Sequence, residues 1–148
     1  MDILNLSTVK NEKEGKWFRV ELYGQEQPFA LKLLGSDSDR VIAFQRDQIR
    51  KIKSINKEYD ELSDEELDEF FELNDDAIII RINGISSISY ERRAFGKAKW
   101  ELDESEPVTI GDTVLKNDEE SYRLLIEKIP AIKDFILEKT KDRANFLD

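Results

Sequence analysis

Three serines, Ser86, Ser87 and Ser89, and a run of carboxylates between Asp60 and Asp76 are the residues of this 148-residue chain that most invite a chemical reading. A serine nucleophile needs a base to take its proton, and the chain has no histidine, so a histidine-based triad is excluded. It has no cysteine either, which removes thiol nucleophiles, zinc thiolates and disulfides. The run from Asp60 to Asp76 holds ten acids and no base. Paired carboxylates do acid–base work when two face each other across a substrate, and no second carboxylate motif is placed to face these. "DSDRVIAFQRDQ", from Asp37, opens like a calcium loop but lacks the glycine at its sixth position and the closing bidentate glutamate. There is no phosphate-cradling glycine loop and no nucleophile elbow, and nothing points to lysine or tyrosine chemistry. The expectation is a protein with no catalytic residue, no cofactor and no metal.

Binding is the class that remains, and charge is its clearest signal. From Arg40 to Lys57 there are six basic residues against the single acid Asp47. Arg46, Arg50, Lys53 and Lys57 share one helical stripe. The plain reading of the basic and acidic runs is two antiparallel helices with complementary solvated faces; the sharper one is a basic face that awaits a charged partner. "ERRAFGKAKW" interleaves Arg92, Arg93, Lys97 and Lys99 with Phe95 and Trp100, the composition of a single-strand-binding loop, and reads equally as a solvated loop with one or two packed aromatics. A net charge of −10 repels phosphate, so neither nucleic acid nor an anionic membrane is expected as a partner. No apolar run approaches a membrane span, and the first sixteen residues have no apolar core behind a basic start. A reducing cytoplasm is the natural setting for such a composition.

The elements that must position these residues follow from hydrophobic period. "KWFRVELYG" alternates through Phe18, Val20 and Leu22, and "PFALKLLG" follows a break from Gly24 to Pro28, which predicts a hairpin over residues 17 to 34. A helix is expected over 37 to 59, with Ser36 or Asp37 as its cap and Ile42, Ile49, Ile52 and Tyr59 on one side at helical spacing. A second is expected over 63 to 83. It starts on a capping box, Ser63 with Glu66 behind Leu62, and stops at Asn83-Gly84; the competing reading makes residues 77 to 82 a strand. Residues 85 to 116 read as an irregular arm or a second small hairpin. Asn117 and Glu120 have capping-box spacing for a helix over 118 to 128, and Pro130 opens another over 130 to 144. The fold class is α+β: a small N-terminal hairpin packed on a mainly helical body of about four helices, in one domain whose first sixteen residues read as a flexible N-terminus. Phe70, Phe71, Ile78, Leu125, Ile132, Phe135 and Ile136 are the expected core.

The order of these segments, with "GSDS" before a basic helix and "ESYRLLIEKIPAIKDFI" leading to "DRANFL", resembles the tail assembly chaperones of long-tailed bacteriophages and prophages over roughly residues 20 to 147. The resemblance implies a non-catalytic role in the host cytoplasm: keeping the aggregation-prone tape-measure protein soluble while tail-tube subunits gather around it. The tape-measure protein is then the partner, and the tail-tube protein a second one. A minor structural component of the tail, or an acidic mimic of DNA, are the competing roles. A chaperone of this kind needs apolar surface on a strongly charged body. The chain ends in "KDRANFLD", so Phe146 and Leu147 either tuck under the helices and close the core or join the basic stripe as partner-binding residues.

Overall fold

The computed structural model describes residues 2–55, 61–91 and 99–147; the side chains of 52, 54, 55, 69–73, 90, 91 and 99 are outside that description. Tyr59, Lys57 and the loop from Arg92 to Lys97 therefore lie outside the described residues, as do the side chains of Phe70 and Phe71.

The fold is α+β, with one four-stranded antiparallel sheet in the order β1-β2-β3-β4. β1 (Lys16–Leu22) and β2 (Gln25–Leu33) form the expected hairpin. Its turn is tighter than the Gly24 to Pro28 break suggested. Tyr23 and Gly24 alone make it, with φ of 55° and 73°, the two positive values of a turn that matches strand twist. Pro28 lies inside β2, where the register with β1 shifts between Arg19 and Glu21, so the missing N–H falls at an irregularity.

α2 (Asp39–Ile55) begins one or two residues later than a cap at Asp37 or Ser36 would have started it. Ser36 N–H donates instead to Thr140 O at 3.2 Å, and Asp37 pairs with Arg143 at 3.3 Å. Along α2, Val41 is fully buried and Ile49, on the apolar side read from the sequence, is 52 % exposed. α3 (Asp64–Ile79) starts on the expected capping box, Ser63 Oγ accepting from Glu66 N–H and Glu66 accepting from Ser63 N–H.

The helix expected to run to residue 83 ends at Ile79. A turn at Ile80 and Arg81 leads into β3 (Ile82–Glu91), so Ile78 and Ile79 are helical while Ile82 begins a strand. Asn83-Gly84 is part of that strand. A Cβ on Gly84 would lie 3.0 Å from the Trp17 ring and from Lys32 Cβ, so glycine is needed for close approach and not as a helix stop. β3 pairs Ile85 with Leu31 and Ile88 with Leu102 of β4 (Lys99–Asp103). Much of the expected arm is thus sheet. Tyr90 of β3 pairs with Trp100 of β4, and the short β5 (Thr109–Ile110) and β6 (Thr113–Val114) form a further small antiparallel pair.

α4 (Glu119–Lys128) is capped by Asp118, which accepts from Ser121 N–H at 2.8 Å, in place of the expected Asn117. Asn117 Oδ1 accepts instead from Ile85 N–H at 2.7 Å, fastening β3 to the start of α4. α5 (Ala131–Lys141) follows Pro130, and a 3-10 turn (Arg143–Phe146) takes the place of its expected last residues. Ile78, Leu125, Ile132, Phe135 and Ile136 are buried with Val20, Leu31, Leu33 and Ile82 between the sheet and these helices. Residues 2–15 hold a 3-10 turn at Leu4–Leu6 and the short α1 (Val9–Glu14), whose Glu12 is buried.

Candidate functional site

The two ends of the described chain meet. Phe146 is fully buried, its ring edge-on to Phe18 at 5.5 Å and 74°. Its carbonyl accepts from Asn11 Nδ2 at 2.7 Å, and Lys16 Nζ donates to Asn145 O at 3.0 Å and to Leu147 O. Arg143 Nε donates to Glu12 Oε1 at 3.0 Å, a bond that raises the guanidinium pKa, and Asp37 adds to it. A Cβ on Gly35 would stand 2.7 Å from Glu12 Cβ, so α1 lies directly on the "GSDS" loop. Phe146 closes the core and is no part of an exposed binding surface. Leu147 is half-buried.

Leu147 lies on the rim of a groove of about 460 Å³ lined also by Leu6, Ser7, Thr8, Val9, Arg143 and Ala144. Beside it stands the most concentrated exposed apolar surface among the described residues: Ile3, Leu4, Leu6 and Val9 are 65 to 72 % exposed. These four were missed in the sequence because the first sixteen residues read as a flexible tail. The signal was present in "DILNLSTV", which places large aliphatics in a segment too short to bury them.

The second surface is the outer face of α2. Arg46, Arg50 and Lys53 are all exposed, with Ile49 among them, while Lys57 lies outside the described residues. Arg50 reaches Asp47 of its own helix at 3.4 Å, and Arg46 and Lys53 pair with no acid among the described residues. The expected match of this basic helix to the acidic one is drawn elsewhere: Asp75 of α3 binds Lys133 of α5 at 2.6 Å, and Asp76 binds Arg123 of α4. The Asp76 bond raises the Arg123 pKa.

The serines of β3 differ in their surroundings, Ser89 being exposed. Ser86 and Ser87 are buried in β3, and Ser86 Oγ donates to Ser87 O at 2.9 Å. Tyr122, its pKa raised by burial and then by Asp118, borders a cavity of about 180 Å³ with Arg40, Asp76 and Glu119. Both of those acids are bound to Arg123. Among the described residues no three acids converge on a metal position and no helix is long and apolar enough to cross a membrane. The described residues thus carry two distinct exposed surfaces, one apolar and one basic. Comparison with protein-family models, with curated proteins and with solved structures found no match.

Proposed function

We propose that this chain is a non-catalytic tail assembly chaperone of a long-tailed phage or prophage, acting in the host cytoplasm on the tape-measure protein, with the tail-tube protein as a second partner. The observation that carries this reading is the cluster of Ile3, Leu4, Leu6 and Val9 beside the Leu147 groove, exposed on a body of net charge −10. Covering each such side chain is worth about 1.5–3 kcal/mol, which suits reversible capture of an apolar helical face. The surrounding negative charge keeps the complex apart from other complexes. The resemblance supplies the identity of the client; the apolar cluster supplies a means of holding it.

The test is co-expression with a tape-measure fragment, taken from a very long coiled-coil-rich reading frame if one lies beside this gene. A chaperone brings the tape-measure fragment into solution and is missing from purified tails by mass spectrometry. A fragment that stays insoluble contradicts the reading, and this chain in finished tails at fixed stoichiometry would make it a minor structural component instead.

A further inference from the structure

We propose that the outward face of α2 docks an acidic amphipathic helix of a protein partner, seating the partner's apolar stripe on Ile49 and its carboxylates on Arg46, Arg50 and Lys53. The inference rests on the reading above only in choosing a protein as the partner. Along α2, Arg46, Ile49 and Lys53 follow one another at i, i+3 and i+7, and Arg50 lies beside them, so the four side chains form one continuous face. All four are exposed. Among the acids with described ion pairs, Asp47 of α2 itself reaches Arg50 at 3.4 Å with both side chains exposed, while Asp75 and Asp76 of α3 are spent on Lys133 and Arg123.

Three cations around one aliphatic side chain specify the chemistry of the occupant. A facing helix would set Ile49 in the seam between the two axes, with carboxylates at the matching three- and four-residue spacing on either side. Nucleic acid fits less well, because the body carries a net charge of −10 and the centre of the face is an isoleucine with no described aromatic platform beside it. An anionic lipid surface would also meet that charge, and among the described side chains of α2 Ile49 is the large aliphatic left exposed, since Val41 is turned into the core.

The experiment uses the full chain and a labelled synthetic helix with a leucine stripe flanked by glutamates, read by fluorescence anisotropy at low and high salt. Expected is saturable binding that weakens with salt, with amide shifts confined to α2 and its neighbours. The Arg50→Glu/Lys53→Glu double variant is expected to weaken binding by about tenfold or more, and Ile49→Ser by about fivefold. All three substitutions fall on exposed side chains, so unchanged melting is read alongside. The same peptide with its leucine stripe scrambled, a duplex DNA and vesicles containing anionic lipid serve as rivals. The proposal is overturned if any of them binds as tightly as the striped helix, if the striped helix does not bind, or if the variants bind it as the parent does. No tape-measure fragment enters this experiment, so its failure and the failure of the chaperone reading are separate results.

Discussion

Gly35 carries no side chain because α1 occupies the space where one would stand. A Cβ there would meet Glu12 Cβ at 2.7 Å and Glu12 Cα at 3.2 Å, and neither can swing away as the tip of a long side chain could. Gly35→Ala is therefore expected to cost about 1–3 kcal/mol in denaturant unfolding, as overpacking does; unchanged stability would mean that α1 does not sit on this loop. Phe146 makes the opposite case, a large ring fully enclosed against Phe18. Phe146→Ala should lose about 3–5 kcal/mol through transfer and cavity terms, and a loss below about 1 kcal/mol would place the ring at the surface. Asp118 gives a pH signature. The hydrogen bonds it accepts from Ser121 hold its carboxyl below the usual aspartate range. A carboxyl with a lowered folded-state pKa stabilises above its unfolded pKa, and that contribution is lost as pH falls through the folded one. Asparagine caps a helix about as well but takes up no proton in that range. Asp118→Asn should match the parent near neutrality and lose less stability on acidification; identical acid limbs in pH-dependent melts would contradict the cap.

At the scale of elements, what the sequence reveals is what neighbours in sequence decide. The Ser63–Glu66 capping box spans four residues and was readable, as were the β1–β2 hairpin, though not the tightness of its turn, and the apolar faces of α4 and α5. "AIIIRING" was not fully readable, because β-branched residues suit a buried helix end and a buried strand alike. The switch after Ile79 is decided by tertiary pairing: Ile82 lies against Leu33 and Ile85 against Leu31, strand partners about fifty residues away. Asn117 shows the same limit, reading as a cap while spending its oxygen on Ile85 N–H at 2.7 Å. Asn117→Ala leaves that N–H unpaired in a buried strand and should cost about 1–3 kcal/mol, with faster amide exchange at Ile85. Unchanged exchange there would show that the bond does not hold β3. The α1 clamp was equally hidden, since Glu12 and Arg143 are 131 residues apart in sequence and Asn11 and Phe146 are 135 apart. Of the candidate site, the basic stripe was legible from its spacing. The apolar cluster was not, because only the fold shows that α1 is held down while Leu4, Leu6 and Val9 are left uncovered.

The whole molecule divides its work between a sealed core and surfaces that contribute little to holding it together. Phe146 belongs to the first and the cluster from Ile3 to Val9 to the second, although both lie at the same end of the molecule. Exposed side chains add little to folding, so replacing them should leave the melt in place while removing what they bind. The direct measurement is to co-express the tape-measure fragment with the parent, with Leu4→Ser/Leu6→Ser and with Phe146→Ala, scoring soluble complex and thermal melt for each. The double serine variant should melt within a degree or two of the parent and lose most of the soluble complex, about tenfold in affinity, whereas Phe146→Ala should lose stability and carry the fragment only in proportion to what remains folded. A double serine variant that melts like the parent and still brings the fragment into solution at parental levels would contradict the central claim that this apolar surface is where the client is held.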